Sequence, residues 1–111
     1  MTVKQLADAC SLTRFALPRP DAEVTGGYVG DLLSWVMGRA RRDDAWLTIM
    51  SNANVAAVAL LAEVSCVVLT EGVKPDDALQ ARAAEHGVNL LGSEKSTFEL
   101  AAELGRMLFP R

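Results

Sequence analysis

Aromatic residues make up only 5% of the chain, and it has one histidine and two cysteines. So few aromatics leave the core to Ala, Val and Leu. Cys10 and Cys66 lie far apart and show no Cys-x-x-Cys spacing. Nothing marks the chain as secreted, so both are expected as free thiols, Cys66 as a core residue on a strand. An iron–sulfur cluster normally takes about four protein ligands, more than two Cys and one His supply. The single histidine, His86, has no Ser, Asp or second His spaced to make a triad or a metal site. It reads as a structural residue near a helix C-terminus, where its charged form suits the helix dipole. There is no Gly-x-x-x-x-Gly-Lys-Ser/Thr, hence no P-loop. No cofactor is expected. The N-terminal Met1-Thr2-Val3-Lys4-Gln5 lacks the charged-then-apolar pattern of a signal peptide. The longest apolar region, residues 55–69, is broken by Glu63 and Ser65 and falls short of the ~18–20 residues that span a bilayer. The chain reads as cytoplasmic, with no membrane contact.

Basic charge is also scarce. The formal net charge is −3, and a duplex-binding surface would carry a basic patch. The densest basic run, Arg39, Arg41 and Arg42, is followed at once by Asp43 and Asp44 and reads as a solvated helix end. No nucleic-acid partner is expected. The 111 residues fit one domain over 1–111. Hydrophobic residues reach 50%, and excess apolar content in a small chain points to a buried subunit interface.

The pattern along the chain predicts an α/β fold. Thr2 caps a short helix, with Gln5 placed for a capping box. Residues 12–16 alternate like a strand that Pro18 and Pro20 end. Residues 23–29 hold a short extended piece and a Gly-Gly turn. A helix follows from Asp31 to about Arg41, with Leu32, Leu33, Val36, Met37 and Ala40 on one face. Residues 46–50 read as a buried strand, 51–54 as a turn, 55–64 as an Ala-rich helix and 66–69 as a second buried strand. Pro75 sits like a first helical residue, in a helix that runs to His86 with Gly87 just past its end. Residues 88–91 form a third buried strand. Ser96 and Glu99 make a second capping box for a final helix through Phe109. This alternation over 45–109 implies a small parallel sheet, open to a mixed edge, flanked by helices.

Two sets of residues invite ligand contact. Thr25-Gly26-Gly27-Tyr28 stand just ahead of a helix N-terminus, where glycines let backbone approach an anion. The same glycines serve equally as a plain turn feeding a helix capped by Asp31. Ser51, Asn52 and Asn54 follow the first parallel strand, Thr70, Glu71 and Gly72 the second, and Gly92 and Ser93 the third. Ligands of open parallel sheets bind outside these carboxyl ends, although Asn and Ser also cap helices there. The helices over 55–64 and 96–109 are apolar nearly all round, which implies burial nearly all round and a homodimer. Val58, Phe98 and Leu108 are candidate interface residues. So is Trp35, which lies off its helix's apolar face and either anchors a partner or is covered by residues 10–24.

Three segments, residues 23–37, 52–59 and 96–100, resemble the DRTGG domain and run in the expected order, and the likeness covers nearly the whole chain. The name-giving Asp-Arg-Thr-Gly-Gly is here Glu23-Val24-Thr25-Gly26-Gly27. Val24 replaces the arginine, so an anion contact from that position does not carry over. The resemblance implies a fold like the N-terminal domain of HPr kinase/phosphorylase and, more distantly, of Mur ligases. It also implies the accessory role such domains have in phosphotransacetylases and nucleotide-regulated pyrophosphatases. Stand-alone members of the family occur beside hydrogenase genes. The sequence therefore predicts a non-catalytic, homodimeric module that senses a small anionic metabolite or nucleotide. The alternative is an interaction subunit docking on a larger enzyme, such as a hydrogenase-associated redox complex, without a ligand of its own. No base–nucleophile pair or metal set is visible for an enzyme.

Overall fold

A computed structural model describes residues 1–110. Helix α1 (Val3–Ala9) starts on the capping box read from the sequence: Thr2 Oγ1 accepts from the Gln5 N–H at 3.1 Å, and Gln5 Oε1 from the Thr2 N–H at 2.8 Å. Strands β1 (Thr13–Ala16) and β2 (Gly26–Val29) follow. The chain then alternates α2 (Leu33–Arg39), β3 (Asp44–Thr48), α3 (Asn54–Ala62), β4 (Cys66–Leu69), α4 (Asp77–His86), β5 (Leu90–Gly92) and α5 (Thr97–Leu108). The strands form one sheet in the order β1-β5-β4-β3-β2. Four of them run parallel, and β1 closes one edge antiparallel to β5. The α/β reading with a mixed edge is borne out.

Because side chains alternate along a strand, the sheet has two apolar faces. Ala45, Leu47, Cys66, Val68 and Leu91 pack with Val3 and Leu6 of α1 and Leu100 and Leu104 of α5. Trp46, Val67, Leu69 and Leu90 pack with Val36 of α2, Val55 of α3 and Leu79 of α4. Each crossover from β2 to β5 moves one strand in the same direction, and its helix lies on the same face, as a constant crossover hand requires. Strand order never reverses within the parallel series. The crevice that such a reversal opens at the carboxyl ends of doubly wound sheets is therefore not built.

Three local expectations change. Gly26 and Gly27 are strand residues, paired with Asp44 and Ala45, so the Gly-Gly turn is replaced by the start of an edge strand. Helix α2 is not capped by Asp31. Its N-cap is Leu32, with no side-chain bond, and Asp31 Oδ1 instead accepts from Thr48 Oγ1 at 2.8 Å and the Ile49 N–H at 3.0 Å. Pro75 is not the first helical residue either. The N-cap of α4 is Asp76, whose Oδ1 accepts from the Leu79 N–H at 2.7 Å. Gly87 ends that helix in the left-handed conformation and Ser96 caps α5 by accepting from the Glu99 N–H, as read from the sequence. The capping box there is not completed: Glu99 Oε1 accepts from Ser96 Oγ at 3.2 Å rather than from the Ser96 N–H.

The N-terminal segment is tied down by one buried amide. Asn89 is 0% exposed. Its Nδ2 donates to the carbonyls of Arg19 (2.7 Å) and Ser65 (3.0 Å), and its Oδ1 accepts from the Arg19 N–H at 2.9 Å.

Cys10 and Cys66 are both buried free thiols. Complete burial on β4 pushes the Cys66 thiol up from 9.0 to about 12. Between those values the unfolded chain gives up a proton that the folded chain keeps. Stability is therefore unaffected by this group below pH 9 and falls as pH rises toward 12. Urea titrations at pH 8 and pH 10.5 should reveal that loss, and a Cys66→Val variant should lose less over the same interval. Equal losses in both proteins would remove Cys66 as the cause.

Candidate functional site

Thr25, Gly26, Gly27 and Tyr28 occupy the open edge of the sheet, beginning at its amino end. A Cβ on Gly26 would stand 2.7 Å from Asp44 Oδ1, and one on Gly27 would stand 3.1 Å from Leu104 Cδ2. Close approach of Asp44 therefore accounts for Gly26, and Leu104 crowds Gly27 more mildly; neither glycine serves a turn. Asp44 is 7% exposed, and its Oδ2 accepts from the Arg41 N–H at 2.8 Å. The Thr25 N–H donates to the Asp43 carbonyl at 3.0 Å.

The short link from α2 to β3 returns three arginines to this same end. Arg39, Arg41 and Arg42 join Thr25–Tyr28, Asp44 and Phe109 around an open cleft of about 530 Å³. The Arg39 guanidinium stacks 3.5 Å from the centre of the Trp35 ring. Stacking leaves its in-plane N–H donors free. Arg42 pairs with Glu63 at 3.5 Å on the exposed surface, an arrangement of small energetic worth. Arg41 has no ion-pair partner among the described residues. A guanidinium fork fits carboxylate and phosphate oxygens, so the cleft can hold an anion, with Asp44 limiting how deep it sits. The sequence reading treated these arginines as a solvated helix end. The signal it missed was positional: they immediately precede the strand that pairs with Gly26-Gly27.

The second set sits at the other end of the sheet. Ser51, Asn52 and Asn54 follow β3, and Ser93 follows β5. The Ser51 carbonyl accepts from the Asp76 N–H at 3.0 Å. Asn52 Oδ1 accepts from the Asn54 N–H at 2.9 Å, and Ser93 Oγ from the Lys95 N–H at 3.1 Å. Thr70 and Thr97 share a 2.6 Å hydroxyl contact, and Glu71 Oε2 accepts from the Thr97 N–H at 2.8 Å. These polar groups bind one another and close the carboxyl end. The fold does not bring the two predicted sets together.

The four candidate interface residues also divide. Trp35 is 55% exposed and Phe98 84%, while Val58 is 6% exposed and belongs to the core beneath α3. Val58 is corrected accordingly. Asn54, Ala57, Leu60 and Leu61 of α3 face outward, so the helix is not buried all round. Leu108 lines an apolar groove of about 180 Å³ between α5 and β2, with Gly27, Val29 and Ala101. His86 is exposed at the end of α4.

The sequence model of the DRTGG domain matches residues 31–107. The chain belongs to the DRTGG domain family. The matched stretch begins at Asp31, so in this DRTGG domain Thr25-Gly26-Gly27 lie just ahead of it. No curated protein sequence matches the chain. Among solved structures, it is similar to the crystal structure of the CBS and DRTGG domains of the regulatory region of Clostridium perfringens pyrophosphatase, complexed with the activator diadenosine tetraphosphate. The TM-score is 0.71 at 13% identity over 91% of this chain, a likeness of fold. This DRTGG domain spans 44% of that structure's chain.

Proposed function

We propose that this DRTGG domain is a non-catalytic regulatory module, homodimeric and cytoplasmic, that binds a small anionic metabolite or nucleotide in the amino-end cleft. The observation that carries the reading is the return of Arg39, Arg41 and Arg42 to the strand of Thr25-Gly26-Gly27-Tyr28. Three guanidinium groups around one cleft favour a ligand with more than one phosphoryl or carboxylate oxygen. In this reading Asn52 and Ser93 hold local turns, and Ser51 and Asn54 are structural backbone partners. Regulation suits a fold also found in the regulatory region of a pyrophosphatase. The ligand would act by stabilising one arrangement of the module or its assembly over another.

A thermal-shift panel of nucleotides, acyl phosphates, sugar phosphates and cell-wall nucleotide sugars tests the proposal. A ligand at about 1,000 times its dissociation constant adds ~4 kcal/mol, a plain shift in a domain this small. Against the best ligand, Arg41→Ala should weaken binding about tenfold or more, since a charge-assisted hydrogen bond is worth ~1.5–3 kcal/mol. Arg41 is exposed and outside the core, so its loss should leave the melting temperature of the unliganded protein unchanged. Silence across the panel, or full affinity in the Arg41→Ala protein, would overturn the anion site.

The second reading, a subunit that docks on a larger enzyme without a ligand, draws on the exposed Trp35 indole. Recovery of a single enzyme from extract, lost on Trp35→Ala, together with a silent panel, would favour it.

A further inference from the structure

Helix α5 carries its apolar residues in an unusual place. Leu100 and Leu104 face the sheet and are buried. At about 3.6 residues per turn, the line directly opposite them holds Phe98, Ala102, Gly105 and, at the cap, Phe109. This is the outer pole of a surface helix, where polar side chains are the rule. Here Phe98 is 84% exposed and Phe109 64%. We infer that this face is the two-fold interface of the homodimer proposed above, formed by α5 lying antiparallel on α5 of a second copy.

The inference rests on the homodimer reading and names its surface. The occupant is a second copy because the face is complementary to itself. Its residues are spaced four, three and four apart, large-small-small-large, so the stripe reads the same in both directions. A two-fold axis passing between Glu103 and Leu104 sets Phe98 against Phe109 of the second copy. It also sets Ala102 against Gly105 at the crossing, where small residues let backbones approach closely. Each aromatic then covers the end of the partner helix.

Charge follows the same symmetry. One flank of the stripe carries Glu99 and Arg106, both exposed. Arg106 has no ion pair among the described residues. In antiparallel helices like flanks meet, which brings Arg106 of each copy to Glu99 of the other. The opposite flank, Ala101 and Leu108, leads into the apolar groove beside Val29, so like meets like there as well. A flank of mixed charge and a flank without charge are each satisfied by one operation.

Sedimentation equilibrium on the full chain tests the interface. The wild type should be dimeric, and Ala102→Arg monomeric, since a long cation at the crossing cannot be accommodated twice. Arg106→Glu should weaken the dimer about tenfold or more by opposing like charges. The double variant Glu99→Arg/Arg106→Glu should restore it. All these positions lie outside the core, so thermal unfolding followed by circular dichroism should confirm that each variant folds. A monomeric wild type would overturn the homodimer reading along with this interface. A wild-type dimer that survives Ala102→Arg, or that is lost instead on Leu61→Arg on the outer face of α3, would overturn the α5 interface alone. Failure of the charge swap to restore the dimer would overturn the antiparallel geometry.

Discussion

Trp46→Ala should lower the unfolding free energy by about 3–5 kcal/mol, the range for emptying a fully buried aromatic site. The folded state of a domain this size is worth only ~5–15 kcal/mol, so the variant stands at the margin of folding. Trp46 is 0% exposed, sits on the second parallel strand and shares a core with Val36, Val55 and Val67. It is the largest side chain in a cluster whose other fully buried members are aliphatic, so its removal empties more volume than any other single truncation there. It also serves as a polar tie: the indole Nε1–H donates to the Gly30 carbonyl at 2.9 Å and fixes the exit of β2. Trp46→Phe separates the two contributions. It keeps most of the volume but drops that hydrogen bond, and should cost visibly less than alanine. Urea unfolding with an unchanged slope measures both. Equal losses for Phe and Ala would assign the effect to the hydrogen bond rather than to packing.

The second large loss is expected at Asn89→Leu. Leucine is close in size and more apolar, so a simple hydrophobicity argument predicts stabilisation. The structure predicts the reverse. Leucine would leave the Arg19 N–H and the Arg19 and Ser65 carbonyls without their present partner. The buried Ser65 carbonyl left unpaired costs about 1–3 kcal/mol, and the half-buried Arg19 N–H and carbonyl add smaller amounts. The sum is a few kcal/mol, and it falls on the segment that carries α1 and β1 onto the sheet. Hydrogen exchange should show the amides of residues 2–24 losing protection in the variant before those of the parallel strands. A variant at least as stable as wild type, with uniform exchange, would mean that the amide is not what holds the segment.

Much of this architecture is legible from local chemistry. The capping box at Thr2, the serine cap at Ser96, the left-handed end at Gly87 and the strand–helix alternation after residue 45 depend on neighbours a few residues away. What escapes is set by pairing across distance. Gly26-Gly27 carries the strongest local signal for a turn, yet β3 supplies a strand partner, Asp44 crowds out a Cβ at Gly26 and Leu104 sits close at Gly27. Tertiary context overrides propensity there. The helix over 55–64 is apolar on every side, so its sequence does not say which residues face in. Val58 reads as outward for that reason, whereas Leu61 is the side chain that faces out. The arginine trio escaped because nothing local in Arg39–Arg42 tells that β3 will bring them beside Thr25. That adjacency appears only once β2 and β3 are paired in parallel register. Asp31 illustrates the same limit, since its acceptor role is satisfied by Thr48 and Ile49 and not by the helix that follows it.

The one-directional winding of the sheet has a bearing on how the chain is made. Thr13 pairs with Gly92, at the opposite end of the sequence. A ribosome releases the first strand early, but its only sheet partner is the last strand to be synthesised. Until residue 92 has emerged, Val3, Leu6, Leu12 and Phe15 have no finished surface to rest on. The parallel core can assemble behind them from neighbouring segments, whose contacts are short in sequence and quick to form. The first-made strand of this domain therefore waits for its last-made one.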